Sequence, residues 1–184
     1  MKKKKVIRKI KVNLKDRYYL DIAKAVSRKS SCIPIRAGFG AIVVVNDAIV
    51  STGYTGPAKE VVHCIKNGGC IRNLKLSGHG KNYGDCISVH AEENCICNAA
   101  RIGSSVSGGI MYMYGEDKNG NIYGGKPCER CRRILINANI EYVMKETKND
   151  GILTYRVRDW IAEDSSDYYE KVNEVLNGKK KKSG

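Results

Sequence analysis

Two short stretches carry residues that could do chemistry together. SVHAEENCIC, residues 88–97, holds a histidine, two glutamates and two cysteines. PCERC, residues 127–131, holds Cys128 and Cys131 three positions apart. One imidazole and two thiolates make three zinc ligands and leave the fourth tetrahedral position for water. Cysteines one helical turn apart present both sulfurs on one side. At the start of a helix, the positive end of the dipole and the free N–H groups favour thiolate. Glu92, two residues after His90, supplies a carboxyl able to take a proton from an activated water and pass it on. An ideal helix does not aim residues two apart in one direction. His90 is therefore expected at an irregular first turn, beside a second helix that starts at the cysteine pair.

Each piece has an ordinary explanation when taken alone. A Cys-x-x-Cys pair also marks redox sites and structural zinc. Cys95 and Cys97 lie five and seven residues beyond His90 and read as buried core thiols, and Glu93 reads as a surface or supporting residue. Eight cysteines are many for 184 residues. The leading MKKKK runs into the mixed VIRKIKVNLK with no apolar signal segment, and the longest apolar run is AIVVV, far short of a membrane span. The expectation is a cytoplasmic chain with reduced thiols, in which metal binding ranks ahead of disulfides. The net charge of +14 sits largely at the ends. Residues 1–17 hold nine Lys or Arg against one Asp, and Lys179–Lys182 add four more, leaving +2 on the body. That pattern permits weak polyanion contacts through the tails and argues against a basic groove on a folded face.

The elements that must position these residues follow from periodicity. Leu14, Tyr18, Ile22, Ala25 and Val26 fall at helical spacing, which predicts an opening amphipathic helix. FGAIVVV reads as a buried strand, Asn46-Asp47 as a turn and AIVSTGY as its antiparallel partner. VHAEENCICNAARI predicts a helix stopped at Gly103, GIMYMYG a strand, PCERCRRILINANI a second helix opened by Pro127, and EYVMKE a strand. RVRDW reads as a short strand and residues 165–178 as a closing helix with Gly178 after its end. Alternation of this kind implies a three-layer α/β/α domain over 14–178, between a basic extension (1–13) and a basic tail (179–184). Residues 55–87 form a long, aperiodic, cysteine-rich loop that needs a fastener or a function. Residues 116–126 read as a hairpin insertion on Asn-Gly, decorative or lying over the site mouth.

His-x-Glu followed by Pro-Cys-x-x-Cys is the pattern of zinc-dependent nucleobase deaminases, in which water attacks C4 of cytosine or C6 of adenine and a glutamate moves the protons. With STGYTG and the HC…GC…C loop ahead of VHAEEN, the chain resembles the deoxycytidylate (dCMP) deaminase branch of the cytidine-deaminase-like superfamily, over about residues 18–160. The resemblance implies a mixed five-stranded sheet, catalytic Zn²⁺ on His90, Cys128 and Cys131, and Glu92 as proton shuttle. It further implies conversion of dCMP to dUMP with loss of ammonia, and a homo-oligomer. Ala91, Arg36 and Asn46 become candidate substrate contacts, Arg36 for a phosphate and Asn46 for the sugar, although Asn46 serves equally well as a plain turn residue. A second, structural zinc is implied too. Cys32, Cys64, Cys70 and Cys86 are its candidate ligands, with His63 and His79 as alternatives. The chain departs from the family at Thr55, where an Asn of the nucleotide-regulatory region is usual, and at Lys148-Asn149, where a substrate-contacting Tyr is common. The rival functions are a deaminase of nucleic acid or of a free nucleoside, and a non-catalytic zinc-stapled binding module.

Overall fold

The computed structural model describes residues 13–32, 36–76, 83–148 and 151–180. The expected basic extension and tail lie outside these residues, apart from Asn13 and Lys179–Lys180. Strand β1 (Gly38–Val45) is buried along most of its length, as its unbroken apolar run requires. The chain reverses at Asn46 and Asp47, both at positive φ (48° and 67°), and returns as β2 (Ala48–Tyr54). On its other edge β1 pairs antiparallel with β5 (Ile110–Glu116). β5 runs parallel to β6 (Tyr142–Thr147), which pairs antiparallel with β7 (Gly151–Arg156). The order β2-β1-β5-β6-β7 is the mixed five-stranded sheet that the family resemblance implies. A separate two-residue ladder of β3 (Gly56–Pro57) and β4 (Ser88–Val89) closes the base of the cysteine-rich loop. That loop also contains the single-turn helix α2 (Ile71–Leu74).

Helix α1 (Leu14–Ser27) covers one face of the sheet, where Leu20 and Ala23 pack with Ile42, Tyr112 and Met144. Helices α3 (Ala91–Ile102), α4 (Glu129–Asn137) and α5 (Asp159–Lys180) supply Cys95, Leu135 and Trp160 to a second core with Val43, Met113 and Val143 on the opposite face. The three layers are therefore present. α1 turns a different stripe inward from the one its apolar spacing suggests. Leu14 and Tyr18 are exposed, while Tyr19, Leu20, Ala23 and Ser27 are buried. Backbone proximity is the reason. A methyl group on Gly40 would stand 2.3 Å from the Ala23 carbonyl oxygen and 2.4 Å from the Ser27 nitrogen. Only the small-residue stripe fits against that glycine. Asp16, buried on the same stripe, accepts a 2.9 Å hydrogen bond from the Tyr112 hydroxyl.

The C-terminal part differs from expectation in two places. The last strand is β7, earlier than RVRDW. Val157 and Trp160 leave the sheet and anchor the start of α5 in the core. α5 begins at Asp159 and continues through Gly178 to Lys180.

Candidate active site

The two helix starts carrying the motif residues lie side by side at the carboxyl ends of the parallel strands β5 and β6, where sheets of this kind place ligand sites. His90 is the N-cap of α3, with extended backbone (φ −69°, ψ 154°). That irregular position is what lets His90 and Glu92 serve one site. Cys128 is the N-cap of α4, with φ −63° and ψ 161°, and Cys131 follows in its first turn. Pro127 therefore stands one residue before the cap, not inside the helix. His90 Nδ1 lies 3.5 Å from Cys128 Sγ and 3.3 Å from Cys131 Sγ. The three ligand atoms all fall within 4.8 Å of one another, and among the described residues no other group of three or more His, Cys, Asp or Glu does so. Ligands on tetrahedral zinc stand roughly 3.5–3.8 Å apart, so the spacing and the donor chemistry both fit that ion.

Protonation favours the same reading. Hydrogen bonding from Cys131, and then from His90, brings the Cys128 thiol down to about 3. The bond to Cys128 in turn raises His90 and holds Cys131 up. Imidazole and thiol ligands bind a cation in their deprotonated forms, so binding at this set weakens as pH falls. Glu92 is buried, 6% exposed, and lines a cavity of about 680 Å³ together with His90 and Cys128. Glu93 points away and bridges to Arg130 of α4 at 2.8 Å, tying the two helix starts together at the surface.

β2 fixes the position of α3. Asn94 donates to the Tyr54 carbonyl at 2.8 Å and Asn98, one turn on, to the Thr52 carbonyl at 2.9 Å. Ser51 donates back to the Cys95 carbonyl at 2.7 Å. The helix rests directly on Gly53, where a methyl would stand 2.3 Å from the Cys95 nitrogen and 2.5 Å from the Ala91 carbonyl oxygen. Gly53→Ala is expected to push α3 off its seat, at a cost of about 1–3 kcal/mol. Zinc content and thermal melting should fall together in that variant. Loss of neither would show that α3 is not held there. Cys95 is fully buried, and burial pushes its thiol up to about 12, as suits a core residue. Cys97 does not meet the same expectation of a buried core thiol, because it is exposed.

The remaining candidates divide. Arg36 lines the cavity. Ala91 is fully buried at the first position of α3, beneath the site and not among the cavity-lining residues. Asn46 is not brought to the site. It sits in the β1–β2 turn, about 20 Å along the strand from the cavity-lining Phe39. Its positive φ of 48° explains an Asn there as turn chemistry. Cys32, Cys64, Cys70 and Cys86 all line the cavity, and Cys32 lies 3.5 Å from the Ser88 hydroxyl. Burial raises the Cys32 thiol, with further contributions from Cys64 and Cys86. No three of these sulfurs meet the 4.8 Å spacing of the His90 set. His63 is exposed, and His79 lies outside the described residues.

Sequence reasoning missed several wall residues, among them Phe39, Arg72, Asn73, Ser88, Lys126 and Lys145. Lys145 left a readable signal. Two residues after Val143 in a strand, it must share the inward face. The 116–126 segment is not decorative, since Asp117, Lys118, Asn119 and Tyr123 line the cavity. The Asp117 carboxylate holds it in shape by accepting from the backbone of Asn119 and Asn121.

Fold and site together define a zinc-binding α/β/α domain. The chain belongs to the family of the cytidine and deoxycytidylate deaminase zinc-binding region, whose model matches residues 14–147. A deoxycytidylate deaminase of Schizosaccharomyces pombe is 33% identical over 86 residues, which are 47% of this chain and 26% of that protein. The chain thus spans only about a quarter of the length of that relative. The deoxycytidylate deaminase of Mycobacterium phage D29 is 28% identical over 134 residues, covering 70% of this chain and 91% of the phage protein. Among solved structures, the dCMP deaminase of cyanophage S-TIM5 in complex with dCMP and dUMP shares the fold, with a TM-score of 0.51 and 21% identity over 73% of this chain and 83% of that one. Among the described residues no helix is long and apolar enough to cross a membrane.

Proposed function

We propose that this chain is a zinc-dependent hydrolase that converts dCMP to dUMP and ammonia. The observation that carries the reading is a three-ligand His-Cys-Cys set at two adjacent helix starts with the buried Glu92 on the same cavity wall. A closed structural site would have no use for that carboxyl. His90, Cys128 and Cys131 would hold the ion, which supplies Lewis acidity and lowers the pKa of a water toward neutrality. Glu92 takes one proton from the attacking water and passes it to ring N3, then takes the second from the new C4 hydroxyl and passes it to the departing amine. Water adds at C4, the C4–N4 bond breaks, and the ring keeps an oxygen at C4.

A nucleotide is favoured by the charge of the cavity. Arg36, Arg72, Lys118, Lys126 and Lys145 line it against only two carboxylates, Glu92 and Asp117. The phage D29 relative named a deoxycytidylate deaminase, covered along 91% of its length, points the same way. We assign a second, structural zinc to Cys32, Cys64, Cys70 and Cys86, which would fasten the 55–87 loop beside the site. We also assign the chain to the cytoplasm as a homo-oligomer. The exposed stripe Ile161, Tyr168 and Val175 on α5, at seven-residue spacing and with Leu176 beside its end, supports a partner surface.

The test is ammonia release by the zinc-loaded chain from dCMP, CMP, deoxycytidine and a cytosine-containing single strand, each supplied separately. dCMP is expected to react fastest. Reaction of the oligonucleotide alone would replace the nucleotide reading with that of a nucleic-acid deaminase.

A further inference from the structure

Lys145 is a buried cation that the reaction as described leaves unused. It lies near the carboxyl end of β6, in phase with the core residue Val143, and is only 5% exposed. Its ammonium stands 4.8 Å from the centre of the Phe39 ring. The ring is held there because Gly115, its cross-strand partner, leaves room. A methyl on Gly115 would stand 2.1 Å from a ring carbon. Among the described residues the Lys145 ammonium has no hydrogen bond and no ion pair. It nevertheless lines the cavity that Glu92, His90 and Cys128 share.

A lysine buried without a carboxylate partner is costly, because an aromatic face replaces only part of the lost hydration. A fold that needed only an apolar residue at that position would lose nothing by having one. Burial indeed lowers the proton affinity of Lys145, while Glu92, Cys131 and Cys128 act from a distance to raise it. A cation of this kind, facing a cavity richer in cations than in carboxylates, suits a counter-charge that arrives with the ligand.

We propose that Lys145 is a specificity residue that pairs with the anionic group of the substrate, the phosphate of a nucleotide, inside the Glu92 cavity. The proposal rests on the nucleotide reading above and adds the residue that separates nucleotide from nucleoside.

The experiment compares the full, zinc-loaded chain with Lys145→Met and Lys145→Arg on dCMP and on deoxycytidine. Lys145→Met should lower kcat/KM for dCMP about 10–100-fold, mainly through KM, and leave deoxycytidine within about 2-fold. Lys145→Arg should recover part of the dCMP loss. Melting of the Met variant should not fall, because an unpaired buried charge is replaced by an apolar side chain of similar length. If the Met variant loses zinc, the Arg variant is read by the same substrate ratio, which must move toward nucleoside. Equal losses on both substrates would overturn the proposal, since Lys145 would then act at Glu92 or in the fold. Unchanged dCMP kinetics would overturn it as well. Failure of the wild-type chain to act on dCMP would instead sink the nucleotide reading, so the two failures are separable.

Discussion

Glu92→Gln is expected to reduce dCMP turnover by about 10³-fold or more while leaving zinc content and melting unchanged. Gln keeps the shape of the side chain and can still hydrogen-bond on the cavity wall. It cannot accept a proton from water at neutral pH. Glu92 is buried at the first turn of α3, two positions after the ligand His90, and its neighbour Glu93 is committed to Arg130. No other carboxylate among the described cavity-lining residues stands on either ligand-bearing helix. Steady-state ammonia release beside zinc analysis of the same preparation checks the prediction. A variant retaining turnover within about 10-fold of wild type would show that proton transfer runs through another group.

Cys131→Ser should cost the chain this zinc. Cys131 is fully buried, and its sulfur lies 3.3 Å from His90 Nδ1. A serine hydroxyl does not ionise at neutral pH, and the ligand must be an anion for a tight site. Zinc analysis is expected to drop by about one ion per chain, from about two if the four-cysteine site is also filled. Melting should fall with it, because an ion that binds only the folded chain stabilises it. Cys97→Ser is the matched control. Cys97 is exposed on α3, and its loss should leave metal and melting unchanged. Full zinc retention in Cys131→Ser would remove Cys131 from the ligand set.

The His-Cys-Cys cluster was legible because each of its residues depends on a local rule. Cys128 and Cys131 are one turn apart at a helix start, and the two-residue offset of His90 and Glu92 required the non-helical cap that His90 adopts. Strands β1 and β5 were legible for a similar reason, since both are short, largely apolar runs between turn signals. What the sequence hid depends on contacts between distant segments. The stripe that α1 buries is chosen by Gly40 on β1, through a backbone approach that no periodicity records. The turn at Asn46 could not be told from a sugar contact until the length of β1 placed it about 20 Å from the cavity-lining Phe39. β7 and the early start of α5 were missed because Trp160, read within a strand, is drawn into the core from a helix. Lys145 was not singled out in the sequence. Its alternation with Val143 pointed inward, and only the cavity supplies a reason for a cation there.

The central claim is that this chain hydrolyses the amine from a cytosine nucleotide at a site built by His90, Cys128, Cys131 and Glu92. The most direct measurement is the dCMP arm of the substrate comparison, run with the zinc-loaded chain in ¹⁸O-labelled water and read by mass spectrometry. The account predicts dUMP carrying one solvent oxygen on the base and an equal amount of ammonia. Unchanged dCMP in the presence of full zinc, or dUMP without the solvent oxygen, would contradict it.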